Sequence, residues 1–298
     1  MPRRVVLSGE FGTDDVDVLC AALAPLTSLT EPEQVTIDML ALEGVSASAL
    51  AVLISVLRTV HVDGRCDPLA ALTAPREPGL HRWLDAENLQ ALLEHPAEGY
   101  PGMIERAFSG CEPFSGINGI MRAREALLAW ISERTGLGEE AQSTVRKLVW
   151  DLAQNVLVHA EIGGGIATAR VDSRDATLEL AVADCGIGIR ESLVRGELPD
   201  VGDDASAVMA ALRPGVTSDP GSGKGMGLYL AKRVLARNKG SLIVRSGNAR
   251  VDEPTRGQVA VPLRNFKGTL VTVIARLDGP LDYEAVDREL LRPEGVAS

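Results

Sequence analysis

Three polar residues spaced four positions apart give the first sign of chemistry in this 298-residue chain. Asp151, Asn155 and His159 stack on one face of a predicted helix, about one turn apart. A carboxylate, an amide oxygen and an imidazole in one row suit a hard cation that bridges phosphate groups. Magnesium prefers oxygen ligands and keeps several waters, so one amide oxygen is a normal protein contribution. Taken alone, the same row also fits a solvated polar helix face.

A second segment places a carboxylate at the end of a predicted strand. Residues 177–183 are strand-like, Asp184 follows them, and Gly186 and Gly188 come directly afterwards. A buried carboxylate can accept a hydrogen bond from an adenine amino group, and glycines let the backbone approach the ring closely. The alternative is a simple strand-ending turn stabilised by the aspartate side chain.

A third segment alternates glycine with other residues before a helix predicted to begin near Leu228. The four glycines are Gly221, Gly223, Gly225 and Gly227. Backbone amides without Cβ atoms at a helix N-terminus form an anion cradle, and Lys224 adds a mobile positive charge. The run lacks the Gly-Lys-Ser/Thr ending of a Walker A loop. It also follows a long loop, whereas a Rossmann fingerprint follows the first strand of a βαβ unit.

In this order the three segments resemble the N, G1 and G2 boxes of the GHKL ATPase superfamily. That superfamily includes DNA gyrase B, Hsp90, histidine kinases, MutL and the bacterial anti-sigma serine kinases. Gly268 and Thr269, which open a late apolar strand, match its last box. The resemblance implies a Bergerat-type α/β sandwich over residues 117–278, with a mixed, mostly antiparallel sheet and helices on one face. Residues 190–220 correspond to the family's ATP lid, expected to order only around nucleotide.

The resemblance also implies ATP and Mg²⁺ as cofactors and assigns roles to single residues. Asp151 holds the place of the general base, Asn155 that of the magnesium ligand, and Asp184 that of the adenine reader. His159 matches a basic residue near the phosphates. The implied nucleotide-binding set is Asn155, His159, Asp184, Gly186, Gly188, Gly221, Gly223, Lys224, Gly225, Gly227, Leu228 and Thr269.

One departure from the family concerns the base, which is usually glutamate and is Asp151 here. The shorter side chain withdraws the carboxylate by roughly one carbon–carbon bond. A misplacement of ~1 Å can lower a rate on the order of a hundredfold. ATP binding is expected to survive this change, whereas turnover is the less secure half of the prediction.

The first hundred residues alternate strand and helix, which predicts an α/β layer on a mainly parallel or mixed sheet. They resemble a STAS domain, the fold of anti-sigma factor antagonists. Residues 42–50 lie where that family carries an Asp-Ser-Ser-Gly phosphorylation segment. Ser48 falls on the second serine, but Ser46, Ala47 and Ala49 replace the aspartate, the usual phosphoacceptor and the glycine. The alternative is that Ser46 and Ser48 only cap a helix.

Four regions follow from these patterns. Residues 1–97 are the predicted STAS-like domain, with strands at 5–11 and 35–40, a short strand at 67–73, a helix N-cap at Thr13 and a last helix at 79–94. Residues 98–116 carry Pro and Gly at linker density. The ATP-binding domain spans 117–278, with helices at 117–135 and 139–160. The polar segment 279–298 is predicted to be a fraying tail.

Bulk composition excludes some classes of function. A net charge of −11 argues against sequence-independent binding to nucleic acid or to an anionic membrane. No stretch reaches the ~18 consecutive apolar residues of a membrane span. The start of the chain lacks a signal peptide, and the four cysteines are scattered without a zinc or disulfide pattern. These features predict a cytoplasmic protein.

The leading prediction is an ATP- and magnesium-binding regulatory protein, either a protein-serine kinase or an anti-sigma-type switch. Its expected partner is a STAS-type antagonist, a sigma factor or its own first domain, and a homodimer is also considered. A histidine kinase is disfavoured because His61, His81 and His95 lack a phosphoacceptor box. Two alternatives stay open: a nucleotide-gated binding module with little catalysis, and an ATPase whose turnover drives lid or dimer motion.

Overall fold

The computed structural model describes residues 3–84, 86–94, 110–198, 201–221, 223–253 and 266–290. The N-terminal unit has strands β1 (Arg3–Phe11), β2 (Val35–Val45) and β3 (Leu72–Thr73), and helices α1 (Val16–Thr27), α2 (Ala47–Val62), α3 (Pro68–Ala71), α4 (Pro78–Trp83) and α5 (Ala86–Glu94). Within these ranges no helix is long and apolar enough to cross a membrane.

The C-terminal unit is larger and holds one six-stranded sheet. Its strands are β4 (Gly110–Ser115), β5 (Gly164–Asp172), β6 (Thr177–Asp184), β7 (Ser241–Gly247), β8 (Ala249–Glu253) and β9 (Phe266–Arg276). Its helices are α6 (Gly116–Thr135), α7 (Glu139–His159), α8 (Gly188–Arg195), α9 (Asp204–Ala211), α10 (Gly227–Asn238) and α11 (Tyr283–Leu290). The strand order is β4-β5-β6-β9-β7-β8.

The N-terminal sheet is parallel, in the order β1-β2-β3, as the alternation of strands and helices predicts. Helix α2 is its central element, because residues 47–57 are all buried. A helix that is apolar on every side must be covered on every side. One side of α2 contacts α1 and α5, and the other contacts β5, β6 and β9 of the larger sheet.

Every strand pairing in the six-stranded sheet is antiparallel. Side chains alternate along β6, so Leu178, Leu180 and Val182 pack in the core shared with α6, α7 and α10. Ala181 and Ala183 point the other way and join the core of the N-terminal unit. The predicted α/β sandwich is confirmed: the C-terminal unit's own helices cover one face of its sheet, and the N-terminal unit covers the other.

Charged side chains also join the two units. Arg245 of β7 is 2% exposed and donates a hydrogen bond of 2.9 Å to the Thr13 carbonyl oxygen. Arg250 of β8 forms ion pairs with Asp14 of the N-terminal unit and with Asp252 beside it. Burial of these cations is tolerated because acidic groups of the other unit or the same strand lie next to them.

Two regions without predicted structure form regular elements. Gly110–Ser115 belongs to the segment predicted as linker, yet it pairs with β5 as the edge strand β4, where Pro113 is tolerated. In the predicted tail, Tyr283–Leu290 forms α11, which packs Tyr283 and Val286 against α7 and α10. The rest of the predicted linker, 98–109, and residues 291–298 lie outside the described residues.

Smaller differences concern element boundaries. Helix α1 begins at Val16 with Asp15 at its N-cap, rather than at Thr13, because the Asp15 carboxylate turns back to the amide of Gly12. The predicted strand at 67–73 is a short capped helix followed by two strand residues, and the helix predicted at 79–94 is divided into α4 and α5. The expected lid, residues 190–220, includes α9 and most of α8.

Candidate functional site

The predicted segments meet around one cavity on the helix-covered face of the six-stranded sheet. Residues of α7, the end of β6, the glycine run and β9 line it. The predicted residues among them are Asp151, Asn155, His159, Asp184, Gly188, Gly223, Lys224, Gly225, Gly227, Leu228 and Thr269. Gly186 and Gly221 are placed beside the cavity rather than in its lining.

Asp184 ends β6 as an almost fully buried carboxylate, 3% exposed. Its Oδ1 accepts a hydrogen bond of 2.8 Å from the Gly186 amide, and Thr269 lies opposite in the strand register. Burial raises the pKa of Asp184 to about 6, against the opposing effect of the Gly186 and Thr269 amides. At neutral pH it is therefore an ionised acceptor in an apolar wall, which suits an amino donor of a base.

At two positions beside the cavity, a neighbouring backbone lies so close that only glycine fits. A Cβ on Gly186 would lie 2.2 Å from the Ala160 carbonyl oxygen, where α7 ends beside the cavity. Gly225 has a φ of +63°, and a Cβ there would lie 2.5 Å from the Val216 carbonyl oxygen. Side chains at either position would push the glycine loops away from α7 and from the lid. Gly221 donates its amide to Asp219 at 3.0 Å.

Gly227 brings the start of α10 against the polar face of α7. A Cβ on Gly227 would lie 3.2 Å from the Asp151 Cβ and 3.9 Å from the Asn155 Nδ2. The helix N-terminus, whose first amides have no partner within the helix, therefore lies next to a carboxylate and a side-chain amide. This places the predicted base and the predicted magnesium ligand together in the cavity, beside the glycine run.

Asp151 has a partner that sequence analysis did not find. The Tyr283 hydroxyl of α11 donates a hydrogen bond to Asp151 Oδ2. Burial raises the pKa of Asp151, while this hydrogen bond and the Lys147 ammonium oppose the rise. Tyr283 was missed because it lies in the polar segment after the last box, where no spacing pattern points to it.

His159 connects α7 to the lid. Its Nδ1 lies 2.7 Å from the Ser218 Oγ, which lies 2.8 Å from the Ser192 Oγ of α8. Burial lowers the pKa of His159, with Asp219 opposing. The neutral imidazole is therefore favoured at pH 7, so His159 contributes hydrogen bonding here rather than a secured positive charge.

Ser246 of β7 is a further residue without a sequence signal. Its hydroxyl accepts the Ile189 amide at 2.9 Å and donates to the Gly268 carbonyl oxygen at 2.9 Å. It thereby joins the first turn of α8 to the last box. A single serine within a strand carries no pattern, and only the pairing of β7 with β9 reveals its position.

Residues 140–278 match the sequence model of a family described as histidine kinase-, DNA gyrase B-, and HSP90-like ATPase. This segment is a GHKL-type ATPase domain. The predicted superfamily is confirmed, and ATP binding is a property of the domain. The match begins at α7 and ends after β9, so α6, β4, α11 and the N-terminal unit lie outside it. No curated protein matches the chain.

The residues of the ATPase domain fit ATP and magnesium chemically. Asp184 offers an acceptor for the adenine amino group, the glycine amides and Lys224 suit phosphates, and Asn155 offers one oxygen ligand. Among the described residues, no three His, Cys, Asp or Glu side chains are grouped to hold a metal. A magnesium ion in this domain would take its other ligands from phosphate and water, as it commonly does.

Proposed function

We propose that the protein is an ATP- and magnesium-dependent protein-serine kinase with a regulatory role, acting on a serine of a STAS-type partner. The observation that carries this proposal is the position of Asp151. It lies against Gly227 at the start of α10, at the phosphate end of the cavity, while Asp184 lines the same cavity. A candidate base therefore lies where the γ-phosphate of a bound ATP would be expected.

The proposed reaction needs one base and one cation. The partner's serine oxygen forms a bond to the γ-phosphorus, and the bond from that phosphorus to the bridging oxygen breaks, leaving its electron pair on ADP. Asp151 accepts the proton of the serine hydroxyl. Magnesium, when bound, supplies charge neutralisation on the phosphates, with Asn155 as its protein ligand. Lys224 adds a second positive charge from the glycine loop.

A serine on another molecule is a better substrate than Ser48 in this arrangement. Ser48 is fully buried, and its hydroxyl contacts Glu179 and Thr272. Those residues face the N-terminal unit, whereas the cavity opens on the opposite face of the same sheet. Phosphorylation of Ser48 would require the two units to separate first.

Incubation of the full chain with γ-labelled ATP and magnesium tests the proposal. A STAS-domain protein that carries the intact phosphorylation segment serves as substrate, and the Asp151→Asn variant serves as the inactive control. A size-tagged Asp151→Asn chain, added as a second substrate, separates labelling of Ser48 from labelling of the partner. Binding of ATP without label on any protein would overturn the kinase function.

A second candidate is a nucleotide-gated binding module with little catalysis. Asp151 favours it, because its side chain is shorter than the glutamate of the family and its Oδ2 is already bound by Tyr283. Asp151→Glu and Asp151→Asn distinguish the two candidates. A kinase loses product formation in Asp151→Asn, whereas a sensor forms the same small amount of product in both variants and in the wild type.

A further inference from the structure

Tyr283 lies outside the segment that matches the ATPase family, which ends at residue 278, yet it lines the ATP-binding cavity. Its hydroxyl donates to Asp151 Oδ2, so a residue of the appended helix α11 reaches the predicted base. Tyr283 is buried and Asp151 is partly buried. The contact therefore joins a residue of the matched segment to an element that lies outside that segment.

The approach of Tyr283 is fixed by its backbone and its ring. Its amide donates to Thr144 Oγ1 at 3.0 Å, and that hydroxyl donates to the Leu281 carbonyl oxygen at 2.9 Å. The Lys147 Nζ lies 4.9 Å from the centre of the Tyr283 ring and 3.9 Å from Glu284. Thr144 and Lys147 belong to α7, the helix that carries Asp151. The start of α11 is thus held on the same helix as the base.

We propose that Tyr283 is a positioning residue that orients the Asp151 carboxylate, and this inference rests on the proposed function. With Oδ2 held by the phenol, Oδ1 is left to face the nucleophile. A short side chain gains from such support, because fixing a catalytic group within about 0.5 Å of its productive position preserves rate. By fixing the orientation of the Asp151 carboxylate, Tyr283 partly offsets the shorter side chain of aspartate relative to glutamate.

Tyr283 acts as a donor in this contact. Burial and the adjacent Asp151 carboxylate both raise the pKa of Tyr283, so the phenol keeps its proton. A hydrogen bond from a neutral hydroxyl to a carboxylate is short and directional, and it constrains rotation of the acceptor. The charged groups that act on Asp151 are Lys147 of α7 and Asp287 of α11, and Lys224 lines the same cavity.

The test removes only the hydroxyl. Tyr283→Phe is compared with wild type for magnesium-dependent ADP release and for ATP affinity, with Tyr229→Phe as the matched control. Tyr229 lies on α10 and contacts Arg233 at 3.3 Å, outside the cavity lining. We expect kcat to fall about 10- to 100-fold in Tyr283→Phe, with ATP affinity unchanged, as for loss of one hydrogen bond to a charged group.

Repeating the substitution in a second background distinguishes a role in orienting Asp151 from a general contribution of Tyr283 to the stability of the fold. In the Asp151→Asn background, Tyr283→Phe should lower the residual rate by less than twofold, because there is no carboxylate left to orient. An equal loss in both backgrounds, or an unchanged or raised kcat in the single variant, would overturn the inference. The same four proteins give a double-mutant cycle in urea unfolding, which does not depend on turnover.

The outcomes for the two proposals are distinct. A wild-type protein that binds ATP without releasing ADP or labelling a partner refutes the kinase function. In that case the unfolding cycle still decides the positioning role: coupling between positions 151 and 283 supports it, and additive effects refute it.

Discussion

Glu179 of the ATPase domain caps the first turn of α2, in which Ser48 of the N-terminal unit lies. Its carboxylate accepts the Ser48 amide at 3.1 Å and the Ser48 hydroxyl at 2.5 Å. The Ala47 amide, at 3.1 Å, and the Thr13 hydroxyl, at 2.8 Å, donate to the same carboxylate. An anion at a helix N-terminus is stabilised by free amides and by the helix dipole. The Glu179 carboxylate of the C-terminal unit thus completes the hydrogen bonding of the first turn of α2 in the N-terminal unit.

This cap lies on the strands that also carry Asp184 and Thr269, two residues of the cavity lining. Glu179 and Asp184 belong to β6, and they point to opposite faces of the sheet. The Ser48 hydroxyl also lies 2.8 Å from the Thr272 hydroxyl on β9, three residues after Thr269. Docking of the N-terminal unit and the geometry of the nucleotide site therefore depend on the same two strands.

We predict that Glu179→Ala lowers the free energy of unfolding by about 2–3 kcal/mol, because it removes a cap and leaves buried donors without an acceptor. Glu179→Gln keeps one acceptor oxygen and should cost about 1 kcal/mol. Urea denaturation followed by circular dichroism measures both. Glu133→Gln is the control: Glu133 is exposed and pairs with its neighbour Arg134, and the variant should stay within about 0.5 kcal/mol of wild type. Equal effects of Glu179→Ala and the control would contradict the capping role.

A negative charge at position 48 is expected to separate the two units. Ser48→Asp would place a second carboxylate against Glu179 in a fully buried site, where like charges cost several kcal/mol. Ser48→Ala, which adds no charge, should cost about 1 kcal/mol. Limited proteolysis and small-angle scattering would report the separation.

Glu179→Gln in the Ser48→Asp background provides the matched test. Removing the opposing charge should recover part of the lost stability, so the two substitutions are expected to be non-additive. Additive losses would show that Ser48→Asp acts through bulk alone.

The α/β architecture could be predicted because apolar residues recur with a different period in its strands and its helices. The glycine and polar boxes could be recognised because each lies within a single helix or turn, so its residue spacing is preserved in the sequence. Elements without such a pattern were missed. Strand β4 contains Pro113 and reads as linker until its pairing with β5 is seen, and α11 is short and polar on its exposed side.

Contacts between distant segments could not be predicted from spacing. Tyr283 approaches Asp151 across 132 residues of chain, and Ser48 approaches Glu179 across 131. Neither pair shares a periodic pattern, and each depends on how whole elements pack. The sequence identifies Asp151 and Ser48 as residues of interest, but their partners are set by tertiary structure alone.

Asn155 is predicted to bind ATP through magnesium and not directly. Asn155→Ala should weaken ATP binding about tenfold or more in the presence of magnesium, because the protein loses its oxygen ligand. In EDTA the variant and the wild type should bind ATP equally. Asn155→Asp keeps an oxygen ligand and should retain magnesium-dependent binding. Isothermal titration of the three proteins, with and without magnesium, measures the difference, and an equal loss in EDTA would argue against a metal ligand.

Asp184 is predicted to make ATP binding sensitive to acid. Its pKa of about 6 means that the carboxylate is ionised at pH 7.5 and protonated at pH 5. An ionised carboxylate is the stronger acceptor for the adenine amino group, so ATP affinity should fall about tenfold between these pH values. The ATP phosphates also titrate in this range. In Asp184→Asn only the phosphate titration remains. The difference between the pH dependence of ATP affinity in this variant and in wild type therefore gives the contribution of Asp184.

In the nucleotide-free protein, the Asp184 carboxyl group is predicted to make folding stability rise with acidification, whereas ATP affinity falls. Its pKa is raised from 3.8 in the unfolded chain to about 6 in the fold, so the folded state binds the proton more tightly. The resulting stabilisation, on the order of 3 kcal/mol, is fully present below pH 3.8 and is lost as pH rises through 6. Wild type should therefore gain stability relative to Asp184→Asn on acidification from pH 7 to pH 4, measured by urea denaturation. Parallel stability curves for the two proteins would show that Asp184 is not buried as an ionisable group.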